Sequence, residues 1–173
     1  MTTKHLTDKK FSDFSLNESL LKGLKEAGFE FCTPIQAETL PHALEGKDVA
    51  GQAQTGTGKT MAFLLAAYQR LLSQGPDPER KKNQPRVLIL APTRELAIQI
   101  EKDASIIGWH TGLKLGLVYG GTGYDSQRKL LENGVDILVG TPGRLIDYFK
   151  QGLYKLDKLD VLIMDEADRM FDM

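Results

Sequence analysis

An α/β fold, with a parallel sheet covered by helices on both faces, is predicted by two features of this sequence. Apolar runs of four to six residues, at 48–51, 86–90, 114–119, 135–139 and 160–164, alternate with segments of helical length at 58–72, 93–108, 124–132 and 142–150. Several runs are rich in Val and Ile with little polar alternation, as in strands buried on both faces. Strand alternating with helix is the sequence form of parallel crossover units.

The elements before and between these follow in order. Residues 1–10 are polar and charged and are expected to be a flexible tail. Residues 15–28 place Leu16, Leu20, Leu21 and Leu24 on one helical face. A second helix is expected over 34–44. Residues 73–85 hold Gly75, Pro76, Pro78, Pro85, Arg80, Lys81 and Lys82, the composition of a solvated loop. It reads as a charged surface connection or as a patch for a polyanion.

Composition narrows the class. The chain has 173 residues, 41% hydrophobic and 26% charged, which excludes wholesale disorder and matches one globular domain. Its longest unbroken apolar run, 61–68, is far short of the about 20 residues of a membrane span. No apolar stretch opens the chain as a secretory signal does. The single cysteine, Cys32, has no partner for an internal disulfide, so a cytoplasmic protein is expected. Cys32 has no adjacent Lys or His and reads as a small buried residue. His5, His42 and His110 are too scattered for a metal cluster. Lys and Arg number 22 against 23 Asp and Glu, a net charge of −1. Bulk charge therefore gives no support to nucleic-acid binding, which must rest on local placement of groups.

Two segments carry chemistry. Ala53-Gln54-Thr55-Gly56-Thr57-Gly58-Lys59-Thr60 follows the phosphate-loop pattern G-x-x-x-x-G-K-[ST], with Ala53 in place of the first Gly. Gly56 and Gly58 let the backbone curl so that its N–H groups face phosphate oxygens, and the following helix adds positive potential. Lys59 then reaches the outer phosphates and Thr60 holds Mg²⁺. The other segment, Val161-Leu-Ile-Met-Asp165-Glu166-Ala-Asp168, delivers acids at the C-terminal end of a strand, where open α/β sheets bind ligands. Asp165 suits a second Mg²⁺ ligand and Glu166 the residue that orients the attacking water. Together they indicate an enzyme that hydrolyses a nucleoside triphosphate, without saying which one. Taken alone, each is also a turn joining strand to helix.

Asp165-Glu166-Ala167-Asp168 and five further tetrapeptide-scale motifs, in matching order, resemble the DEAD-box RNA helicases. These are Gly28-Phe29 through Thr33-Pro34-Ile35-Gln36, the phosphate loop, Pro92-Thr93-Arg94-Glu95-Leu96-Ala97, Gly120-Gly121 and Thr141-Pro142-Gly143-Arg144. The similarity runs from about Phe11 to Met173 and implies a RecA-like fold with ATP and Mg²⁺ as cofactors. It implies Gln36 as adenine reader, Phe11 as a ring on the adenine face, and residues 53–60 around the phosphates, with Lys59, Asp165 and Glu166 catalytic. Phe11 is otherwise a core contact of the first helix, and Thr33 a helix cap. The resemblance makes Pro92, Thr93, Arg94, Gly120, Gly121, Thr141, Gly143 and Arg144 an RNA surface that holds the backbone without reading bases. The alternatives are internal ion pairs for Arg94 and Arg144 and a plain turn at Gly120-Gly121.

Stretches such as Asn83-Gln84-Pro85-Arg86 and Gly112-Leu-Lys-Leu-Gly-Leu117 are similar to a bacterial branch of the family. That branch implies a role in RNA degradation, with a degradosome endoribonuclease as partner bound through a second domain. The resemblance divides the chain into a tail (1–10), an adenine-motif region (11–44) and a first RecA-like domain (45–173) that stops before the strand of the Ser-Ala-Thr motif. That strand is expected between 48–51 and 160–164, and the second domain with its arginine fingers is expected elsewhere. A fragment that binds ATP or a partner without catalysis is the alternative, and a DNA-directed motor is disfavoured by the adenine motif.

Overall fold

The computed structural model describes residues 5–173. Contacts group the chain into two compact units. One comprises residues up to Gly75 with Ile106–Gly112, and the other Pro76–Ser105 with Leu113–Met173.

The first unit is helical. Helix α1 (Glu18–Glu26) starts where Asn17 Oδ1 accepts the Ser19 N–H at 3.0 Å, and it buries Leu20 and Leu24. It ends at Gly28, whose φ of +79° allows the Phe29 N–H to bond the Leu24 carbonyl at 2.9 Å. Gly23 lets α1 approach the 106–112 segment, since a Cβ there would lie 2.6 Å from the Ile107 carbonyl oxygen. Helix α2 (Pro34–Leu44) has proline in its first turn, and α3 (Lys59–Ser73) packs against it.

Two expectations change here. Residues 1–4 of the expected tail lie outside the described residues, but Thr7–Lys10 is pinned. The Thr7 N–H donates to the Cys32 carbonyl at 2.9 Å, the Cys32 N–H to the Lys9 carbonyl at 2.8 Å, and Lys10 pairs with Phe31 as a bridge. Nor do residues 48–51 form a strand. A strand is defined by its ladder, and no described segment pairs with these residues.

The second unit is built on a parallel sheet ordered β2-β3-β1-β4, from β1 (Val87–Leu90), β2 (Leu115–Val118), β3 (Ile137–Gly140) and β4 (Val161–Met164). Register aligns Val87 with Ile137 and Val161, and Leu115 with Ile137, so all four strands end level. Helices α4 (Arg94–Ile107), α5 (Tyr124–Asn133) and α6 (Pro142–Lys150) follow β1, β2 and β3, and α7 (Ala167–Phe171) follows β4. Leu88, Val118, Leu131, Leu138, Leu145, Tyr148 and Tyr154 form the core on one side of the sheet. Strand β4 is an edge, and its Leu162 and Met164 are 54% and 43% exposed. Among the described residues no helix is long and apolar enough to cross a membrane.

The segment 73–85 is largely the expected exposed loop, but its Arg80 and Gln84, with Arg86 after it, form a clasp under the N-terminal end of the sheet. Arg80 bonds the Gln84 and Val135 carbonyls and pairs with Asp136 at 3.1 Å. Gln84 donates to both Asp157 carboxylate oxygens, at 2.9 and 3.0 Å. Arg86, 3% exposed, meets Asp160 at 2.7 Å. The apolar stems of these long side chains are buried while their charges are paired, a combination that composition does not reveal.

Breaking a buried pair strands a charge. Arg86→Gln is expected to lower unfolding stability by about 3 kcal/mol, whereas Lys158→Ala, which removes the more exposed pair to Asp77, is expected to change it far less. Urea unfolding measures both. Burial pushes the Cys32 thiol up to about 11. It is therefore expected to stay unmodified by iodoacetamide at pH 8 in the folded chain and to react fully in urea.

Candidate functional site

The phosphate-loop half lies in the first unit. Residues 53–58 are an irregular, solvent-facing turn, and α3 starts at Lys59 behind Gly58. Gly56 and Gly58 both have left-handed φ, +84° and +87°, which turns successive N–H groups outward. The Thr57 hydroxyl closes the turn on the Gln54 carbonyl at 2.8 Å. Gln36 is buried and holds two backbones at once. Its Oε1 accepts the Thr33 N–H at 2.9 Å, and its Nε2 donates to the Gly58 carbonyl at 3.0 Å. A Cβ on Gly58 would lie 2.3 Å from that nitrogen. Thr33 caps α2 from an extended conformation, as the cap alternative had it, but its Oγ1 is buried without a hydrogen bond of normal geometry. An orphaned hydroxyl beside a glycine cradle fits a site built for a polar ligand. Phe11 is 2% exposed and lines a hollow of about 430 Å³ with Leu21, Leu24 and Phe29. As placed, its ring is chiefly a core contact.

The second unit carries the acids and the strand-end loops. Asp165 is buried at the end of β4, its N–H bonded to the Leu90 carbonyl at 3.0 Å. Glu166 has φ +49°, the one non-glycine residue with positive φ among the described residues, so its peptide is strained. The Glu166 N–H donates to Asp165 Oδ1 at 3.0 Å, and its carboxylate meets Arg169 at 2.9 Å. No group of three or more His, Cys, Asp or Glu among the described residues is arranged to hold a metal. An all-protein cage is therefore not what these carboxylates offer. Hard oxygen donors used one or two at a time suit Mg²⁺ shared with phosphates.

Because the strands end level, the segments after β1, β2 and β3 meet. Pro92, Thr93, Arg94, Gly120, Thr141, Gly143 and Arg144 line one open groove of about 560 Å³ with Glu95, Pro142, Asp147 and Met173. Gly121 lies beside it, where a Cβ would come 2.6 Å from Arg94 Nη1. The Thr93 hydroxyl accepts the Leu96 N–H at 3.2 Å and caps α4. Among the described residues Arg144 has no ion-pair partner. Its guanidinium lies over the rings of Tyr124 and Tyr148, at 5.1 and 5.3 Å, and donates to Gln127 Oε1 at 3.2 Å. Two acids, Glu95 and Asp147, face the groove with two arginines, Arg94 and Arg144, so its side-chain charges balance.

These features match a known family. The DEAD/DEAH box helicase model matches residues 33–173. The chain belongs to the DEAD/DEAH box helicase family. Over its full length it is 58% identical to the ATP-dependent RNA helicase RhlB of Shewanella piezotolerans, 61% to that of Shewanella woodyi and 60% to that of Photorhabdus laumondii. It covers 40%, 39% and 40% of those proteins, so the chain spans about two fifths of the length of the curated relatives it matches.

Sequence reasoning missed Gln127, Tyr148 and Arg169. Gln127 stands on the apolar stripe of α5 with Leu130 and Leu131, and a lone amide in such a stripe was its available signal. For Arg169 the i,i+3 spacing from Glu166 was the signal.

Gly58 carries the first unit's arrangement. Gly58→Ala is expected to lose about 1–3 kcal/mol, from the left-handed backbone and the collision with Gln36. Gly75→Ala, into open space, should move stability by less than about 1 kcal/mol. Paired denaturation curves decide it.

Proposed function

We propose that this chain is the ATP- and RNA-binding first domain of an ATP-dependent RNA helicase, in which RNA-stimulated ATP hydrolysis drives local separation of RNA strands. One observation carries the reading. A domain of the DEAD/DEAH box helicase family draws the segments 92–94 and 141–144 and Gly120 to one open groove at the strand ends.

The base is read by Gln36. A glutamine amide has two donors and two acceptor sites, and one of each is occupied by Gly58 and Thr33. One donor and one acceptor remain, the pattern that adenine N7 and its 6-amino group complete and that guanine, with N7 and O6 both acceptors, does not. Backbone N–H groups of 54–58 and the Lys59 ammonium take the phosphates. Thr60 and Asp165 would hold Mg²⁺, which supplies charge neutralisation at the outer phosphates. Glu166 orients a water whose oxygen forms a bond to the γ-phosphorus. The bond from that phosphorus to the bridging oxygen breaks, ADP departs, and the water's proton passes to Glu166 or solvent.

RNA is held through phosphates and 2′-hydroxyls by N–H groups of the strand-end loops with Arg94 and Arg144. The similarity to proteins named RhlB supports a setting in cytoplasmic RNA degradation, with a degradosome endoribonuclease bound outside these residues.

Thermal melts of this chain test the nucleotide half. At ATP about ten times its Kd, Mg-ATP is expected to raise Tm by about 3–5 °C, and Mg-GTP by under 1 °C. Gln36→Ala should abolish that preference, and equal shifts by both nucleotides in the parent chain would refute it. Turnover is tested in the protein at its relatives' full length. RNA-stimulated hydrolysis lost at least 100-fold in Glu166→Gln supports the enzyme, and its absence in the parent supports a binding module.

A further inference from the structure

Gln127 lies outside every motif discussed above, yet it is 8% exposed and its hydrogen-bonding capacity is committed to one loop and to Arg144. Its Oε1 accepts the Tyr119 N–H at 3.2 Å, and its Nε2 donates to the Tyr119 carbonyl at 3.1 Å. The amide thus acts as a one-residue strand partner where β2 leaves the sheet. The second N–H goes to the Thr122 carbonyl at 3.2 Å, and the second lone pair takes Arg144 Nη1 at 3.2 Å. The same Arg144 Nη1 also donates to the Tyr148 hydroxyl at 3.1 Å, which itself donates to the Tyr124 carbonyl at 2.9 Å.

We infer that Gln127 is a positioning residue for the RNA-binding edge, fixing the 119–123 loop and Arg144 in one arrangement while touching no RNA itself. The inference rests on the reading of that groove as the RNA surface. Gly121 and Gly123, at φ +93° and +66°, give the loop little stiffness of its own. A neutral amide is suited to the task because it donates to two carbonyls and accepts from a cation and an N–H together. A carboxylate keeps the acceptors and loses both donors.

The test uses Gln127→Met and Gln127→Glu in this chain, with two readouts. The first is backbone amide exchange by NMR in Mg-free buffer without RNA. Residues 120–123 are expected to exchange at least tenfold faster in Gln127→Met, with 130–133 of α5 unchanged and Gln127→Glu between the two. The second is affinity for a fluorescent single-stranded oligouridylate across a salt series. Gln127→Met is expected to weaken it about tenfold and flatten the salt slope, with the Mg-ATP shift in Tm unchanged. Unchanged exchange in 120–123 overturns the role of Gln127 whatever RNA does. Faster exchange with RNA affinity unaltered, or absent in the parent chain, overturns the RNA reading of the groove and with it the role of Gln127 toward RNA. A variant that lowers exchange protection throughout the chain marks Gln127 as a general stability residue and also overturns the inference.

Discussion

The parallel ladder through β1 is the constraint on which the second unit depends. β1 is hydrogen-bonded on both sides, to β3 and β4, and β3 carries β2. Its Val87, Leu88 and Ile89 are buried, so a shift in register would move apolar side chains and break both flanking ladders at once. With the register as it stands, Leu90, Val118, Gly140 and Met164 lie level, and the next residues of every strand emerge at one edge. None of the segments 92–94, 119–123 and 141–144 is near another in sequence. The ladder alone makes neighbours of them and places the buried Asp165 at the same end.

Much of this was legible in the sequence, for a physical reason. Strands of a parallel sheet need apolar runs, and 86–90, 114–119 and 160–164 each contain the observed strand, while 135–139 covers all of β3 but Gly140. Helices α2 and α6 were legible to the residue because Pro34 and Pro142 mark their first turns. Residues 48–51 were misread since a strand is a property of a pair. An apolar run states a willingness to pair, and the partner is a tertiary fact. The loop at 73–85 was legible as largely exposed, but the clasp made by Arg80, Gln84 and Arg86 was not, because the three opposing acids, Asp136, Asp157 and Asp160, come from distant positions. The site residues named by motif were legible as a set. Which of them touch was not, since Gln36 meets Gly58 and Arg144 meets Gln127 only in the folded chain.

Arginine shows how little residue type alone decides. Arg80 and Arg86 are structural, each matched to an aspartate and shielded from solvent. Arg144 is matched to neutral oxygens and two aromatic faces, so its position is fixed while no carboxylate among the described residues cancels its charge. A guanidinium held this way loses less conformational freedom on meeting a phosphate than a free one does. The same side chain thus closes the bottom of the sheet and stays available at the top, and the difference lies in the partner.

Each unit solves the problem of a ligand loop by the same means. Loops that offer N–H groups to anions need left-handed residues, hence Gly56 and Gly58 in one unit and Gly121 and Gly123 in the other. Glycine permits that geometry and does nothing to hold it. In both units a buried glutamine from an adjoining helix supplies the restraint, Gln36 on the Gly58 carbonyl and Gln127 on the Tyr119 and Thr122 carbonyls. Lysine or arginine would hold the carbonyls equally well but could accept nothing from a backbone N–H. Aspartate or glutamate would repel those carbonyls and oppose an arriving phosphate. The amide restrains the loop without adding charge to it, which, on the proposed reading, leaves electrostatic attraction to the N–H groups, to Lys59 and to Arg144. Loop shape and loop charge are therefore set by different residues, and either can change without rebuilding the other.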